Sequence, residues 1–153
     1  MRATLLLVPV GAVLFVGCGG PTPPPFKPVV DNKLLMQSVI DPNADIVWDA
    51  VKDILTVEGE EKIRPKGDEG WTAVRNAAIA LTESGNLLMM VPRAKDGGEW
   101  MKRSQELIDT GQAAMQAAEA KNADRLFTIG GDIYEACSNC HRKYMEAIVN
   151  ANK

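Results

Sequence analysis

Leu126-Phe127-Thr128-Ile129-Gly130-Gly131-Asp132-Ile133-Tyr134-Glu135-Ala136-Cys137-Ser138-Asn139-Cys140-His141-Arg142-Lys143-Tyr144 carries two patterns at once. Leu126, Gly130, Ile133, Cys137, Cys140, Tyr144 and Ala147 recur at spacings of 4 and 3, the seam of a packed helix. Asn122 suits the N-cap, so the spacing predicts a helix from there to about Asn150. Cys137, Cys140 and His141 are related by i, i+3 and i+4, so on that helix they project from one face. It is the face that the flanking apolar residues independently select for burial.

Cys-x-x-Cys-His is the attachment signal for c-type haem. Two thiols one turn apart can form thioethers to the two vinyl groups of one porphyrin, and the adjacent imidazole reaches the iron as proximal ligand. Other uses of these residues fit less well. A structural zinc site takes four Cys/His ligands, whereas the chain holds one histidine and three cysteines. A thioredoxin-like motif would sit in a strand-helix context that the sequence lacks. A Cys137–Cys140 disulfide stays open but leaves His141 unexplained.

Working back from this helix, three more segments show helical periodicity. Helix three is expected at about Glu99 to Lys121, with Trp100, Ser104, Leu107, Gly111, Ala114 and Ala118 as its stripe. Pro92 and Gly97-Gly98 form the turn before it. Helix two is expected at about Asp68 to Val91, with Trp71, Val74, Ala78, Leu81, Gly85 and Leu88 as its seam. Gly85 costs that helix about 1 kcal/mol relative to alanine; it either leaves room for a flat cofactor or kinks the helix. The first arm, Asn32 to Ile40, carries Leu34, Leu35, Met36, Val39 and Ile40. Asp41-Pro42 predicts a helix broken or kinked there, because the residue before proline is pushed out of the helical region. The helix is expected to resume to about Val57, burying Val47, Trp48, Val51, Ile54 and Leu55, with Glu58 to Gly67 as a solvated loop.

Composition agrees with an all-α fold: 46% of the residues are hydrophobic, only 5% aromatic, and β-branched residues form no alternating runs. A formal net charge of -3 argues against nucleic acid as a partner.

Met1-Arg2 precedes an apolar run from Leu5 to Val16, broken by Pro9 and too short to span a bilayer. It fits the h-region of a signal peptide over residues 1–17. Phe15-Val16-Gly17-Cys18 resembles the lipobox of bacterial lipoproteins, which implies a lipid on Cys18; the alternative is an ordinary signal peptide cut a few residues later. Lipidation would account for an odd cysteine in an exported chain. The proline-rich residues 18–31 would form a semi-extended tether, leaving 32–150 as one domain. Gly19 after the cysteine, in place of aspartate, favours the outer membrane on that resemblance.

Four amphipathic helices with the haem motif near the C-terminus resemble the class II cytochromes c, the cytochrome c prime family. The resemblance runs over roughly Asn32 to Asn150 and is most specific at Cys137 to Tyr144. It implies an antiparallel left-handed four-helix bundle, one covalent haem c on the C-terminal helix through Cys137 and Cys140, and His141 as axial ligand. Family members either leave the sixth iron position open and bind nitric oxide or carbon monoxide, or fill it with a methionine of the first helix and transfer electrons. Met36 stands where that methionine is expected, with Met89 and Met90 in reserve; as a flexible apolar residue Met36 could equally be core filler. The expected function is that of a membrane-tethered periplasmic electron carrier rather than an enzyme, with periplasmic or membrane redox proteins as partners. The alternative is a five-coordinate gas-binding protein gated by Leu35, Met36 or Ile40. The family also allows a homodimer. Tyr144 is expected against the porphyrin, Tyr134 at the surface, and Arg142 and Lys143 either at the propionates or in solvent.

Overall fold

Asp31 opens the first helix by accepting the N–H of Leu34 on its carboxylate at 2.8 Å. The computed structural model describes residues 25–151, with side chains through Met145. The signal segment and Cys18 lie outside the described residues. Of the segment expected as a tether, residues 25–31 are non-helical and mostly exposed. No helix among the described residues is long and apolar enough to cross a membrane.

Of the break or kink expected at Asp41-Pro42, the break does not occur; the helix carries a π turn there instead. Helix α1 (Asn32–Leu35) runs through one π turn (Met36–Ile40) directly into α2 (Asp41–Ala50). Pro42 cannot donate an N–H, so a regular α register would leave a carbonyl of the preceding turn unbonded. The chain widens the turn instead: Asp41 N–H bonds to Met36 O, five residues back. Asn43 Nδ2 supplies a further donor to Val39 O at 2.7 Å.

The predicted continuation to Val57 is also corrected. Beyond Val51, strands β1 (Lys52–Thr56) and β2 (Gly59–Ile63) form an antiparallel hairpin, with Ile54 opposite Glu61 and Leu55 opposite Glu60. Gly59 sits at φ +139° in its turn, a conformation open to glycine. Leu55 is 83% exposed and Ile54 lies at the surface, so neither joins the core.

The remaining helices fall close to their predicted bounds: α3 (Gly67–Met89), α4 (Glu99–Glu119) and α5 (Ala123–Ala151). The fold is therefore mostly helical, with one small sheet. Asn122 caps α5, accepting the N–H of Arg125 at 2.9 Å. The α4 stripe from Trp100 to Ala118 is buried throughout, as is the α3 seam apart from the half-buried Trp71.

Gly85 serves neither of the purposes read for it. Helix α3 is continuous through it, and a Cβ there would lie 2.7 Å from Ser104 O of α4. Gly111 of α4 is matched in the same way by Thr82 of α3, whose backbone nitrogen would lie 2.9 Å from an added Cβ. These two glycines set a close helix–helix approach.

The contacts fix the directions. Gly85 meets Ser104 while Thr82 meets Gly111, so α3 and α4 are antiparallel. Trp48 Nε1 donates to Gly130 O at 2.9 Å, pinning α2 to α5. Helix α2 packs on α3 and α5, and α4 packs on the same two helices. Leu35, Val47, Leu81, Leu126 and Ile133 fill the space between them.

Candidate haem site

The helical period brings Cys137, Cys140 and His141 to one face of α5, and that face borders a cavity of about 220 Å³. Met36 and Ile40 from the π turn line it too, with Asp41, Ala44 and Trp48 from α2. Leu88 of α3 and Arg103, Ser104 and Leu107 of α4 complete the wall, with Tyr134, Ala136 and Ser138 on the α5 side. Each of the four helical arms contributes. Met36, the residue most distant in sequence, faces the same space as the three residues of the Cys-x-x-Cys-His motif.

The electrostatics suit a flat apolar group. Burial, with smaller contributions from the Asp41 charge and from Cys140, pushes the Cys137 thiol up to about 11. Burial also raises Cys140. Both sulfurs are therefore neutral thiols at physiological pH. At the rim, Arg103 Nε donates to Glu99 Oε1 at 2.7 Å and Nη1 donates to Glu106 Oε2 at 2.7 Å. The two carboxylates, Glu106 foremost, raise the guanidinium above its ordinary value, and Arg103 in turn holds Glu99 below the usual carboxylate range. A guanidinium held by two carboxylates thus lines the cavity beside Asp41, Ser104 and its apolar residues.

These residues fit a c-type haem. A pair of neutral thiols one turn apart suits thioether attachment, and an imidazole and a methionine sulfur lining the same cavity are the kinds of axial ligand that a six-coordinate haem iron takes. Cys137 and Cys140 would hold the group, and His141 and Met36 would face its iron.

Several expectations about the surroundings change places. Tyr134, expected at the surface, is 62% exposed yet lines the cavity. Tyr144 turns away from it and packs edge-on against Trp100, with ring centroids 4.9 Å apart. Arg142 and Lys143 are exposed and stand off the cavity, Lys143 Nζ lying 5.9 Å from the Tyr144 ring. Met89 and Met90 also lie off it, and Leu35 is in the core. Arg103 and Trp48 are among the wall residues that sequence reasoning did not assign to the site. Trp48 carried a signal, since an indole in an otherwise aliphatic run needs a partner for its N–H. Arg103, next to the seam residue Ser104, carried none.

Compared with protein-family models, with curated proteins and with solved structures, the chain matches none of them.

Proposed function

We propose that the chain is a membrane-tethered c-type cytochrome of the class II kind, its helices forming an antiparallel four-helix bundle around one covalent haem. The observation that carries the reading is the meeting of Met36 with Cys137, Cys140 and His141 on one apolar cavity. Cys137 and Cys140 would hold the group through thioethers, each sulfur bonding one vinyl carbon and its hydrogen passing to the other. His141 and Met36 would ligate the iron, and the haem, when bound, would supply single-electron exchange. Ile40, Leu88 and Leu107 keep water from the cavity. A saturated iron leaves no position for substrate, so the protein carries electrons and is not an enzyme. Its partners are periplasmic or membrane redox proteins, met at the surface of the outer membrane where a lipid on Cys18 holds it.

The visible spectrum of the oxidised and reduced holoprotein, with and without carbon monoxide, tests this beside Met36→Ala. A low-spin wild type indifferent to carbon monoxide, with a high-spin variant that binds it, is the expected result. A wild type that is already high-spin and binds carbon monoxide would transfer the reading to gas binding, with Ile40 and Met36 as an apolar gate.

A further inference from the structure

Met36 opens the π turn that joins it to the rest of its helix. A π turn holds about one residue more than an α turn. Leu35 and Met36, at the start of that wide ring, are therefore rotated, each presenting the face that its successor would present in an uninterrupted α-helix. Leu35 takes the face that would belong to Met36, and it is only 2% exposed in the core. Met36 takes the face that would belong to Gln37, and it lines the cavity. In a regular helix the methionine would enter the core and a glutamine would face the haem site.

Two residues stand directly after Asp41, whose N–H closes the wide ring. Pro42 removes the N–H that the α register requires of its position. Asn43 bonds Val39 O, within the turn, through its side-chain amide at 2.7 Å. Asp41 N–H completes the wide ring on the carbonyl of Met36 itself.

We propose that Pro42 and Asn43 are positioning residues for the sixth iron ligand, acting through the π turn that swings Met36 to the cavity and sends Leu35 to the core. The proposal rests on the reading of Met36 as that ligand. Neither residue need touch the haem.

The test uses the holoprotein carrying Pro42→Ala with Asn43→Leu, which restores a backbone donor and removes the side-chain one. The helix is expected to revert to the α register. The low-spin spectrum is then lost, the reduction potential falls, and carbon monoxide affinity rises by about tenfold or more as the binding-competent fraction grows. Deleting the exposed Ser38 in that background removes the surplus residue, so Leu35 and Met36 regain their faces in a regular helix. Low-spin ligation is expected to return. A destabilising effect unrelated to register would be worsened by the deletion, and circular dichroism at each step confirms that the variants fold. A wild type that is low-spin and loses this with Met36→Ala, beside a double variant unchanged in spectrum and potential, overturns the positioning role alone. So does a deletion that fails to rescue. A wild type that is high-spin removes the ligation reading itself, and the positioning role with it.

Discussion

Tyr144 on α5 donates its hydroxyl to Asp96 Oδ2 at 2.5 Å, joining residues 48 positions apart. The other oxygen of Asp96 accepts the N–H groups of Gly98 and Trp100 at 2.9 and 3.0 Å, so one carboxylate closes the α3–α4 loop and holds α5 to it. Burial first, and the Asp96 bond second, push the Tyr144 phenol up to about 12. The Tyr144 bond, followed by that of Trp100, holds the Asp96 carboxyl below its ordinary value.

The sign of the pH dependence follows. The folded state holds the Tyr144 proton more tightly than the unfolded chain, whose phenol titrates near 10. The stabilisation is complete below that pH and is lost as pH rises through about 12. Asp96 acts at the other end: its contribution is present above the ordinary carboxylate range and is lost as pH falls through the depressed folded value. Thermal unfolding of wild type and Tyr144→Phe should differ at neutral pH and converge between pH 10 and 12. A gap that stays constant through that window would show that the hydrogen bond contributes nothing.

Gly111 offers a test of the α3–α4 approach. An alanine there would bring Cβ to 2.6 Å from Thr82 Oγ1, which is already committed to Ala78 O at 2.9 Å. Overpacking of this kind costs about 1–3 kcal/mol, offset by about 1 kcal/mol of better helix propensity. Denaturant unfolding of Gly111→Ala should therefore show net destabilisation. Gly131→Ala is the control, because nothing lies within 4 Å of its added Cβ. It should stabilise α5 by about 1 kcal/mol.

The seams of α3, α4 and α5 were legible because a core-facing helix must repeat its apolar residues near 3.6 positions. Cys137 and Cys140 fall in that register. What the sequence could not reveal depended on partners distant in the chain. Gly85 invited a local explanation, a kink or a cofactor gap, when its reason is the backbone of α4. Pro42 signals a helix break in isolation, yet Asp41 N–H and the Asn43 amide rescue the turn once α3 and α5 hold both sides. The hairpin stayed hidden because both its faces are largely exposed, so Lys52–Thr56 never alternates apolar with polar.

That same exposure makes the hairpin tip tolerant. Val57 is fully exposed and Leu55 nearly so. Replacing both with serine removes no core contact and should change stability by no more than about 0.5 kcal/mol. Val47→Ala, at 0% exposure on the preceding helix, should cost several times that through lost burial and the resulting cavity. Urea midpoints of the two variants check the contrast. Equal effects would mean that the hairpin shares the core after all.

The proposed covalent attachment has its own signature. Removal of Cys137 or Cys140 alone, as Cys137→Ala or Cys140→Ala, should leave haem bound through one thioether and still retained when the protein is denatured. Removing both should release it to acidic organic extraction while α5 stays helical, since alanine is the better helix former. His141→Ala should leave both thioethers intact but destroy axial ligation from the α5 side, changing the spin state without releasing haem. The cavity predicts one further difference between the thiols. Cys137 is the more strongly raised, to about 11, so in an apoprotein it should react more slowly with an alkylating reagent than Cys140 at neutral pH. Mass mapping of partially alkylated apoprotein reads that order directly. Equal rates would show that the α5 face opens to solvent when haem is absent; a faster Cys137 would contradict the burial that places it at the cavity wall.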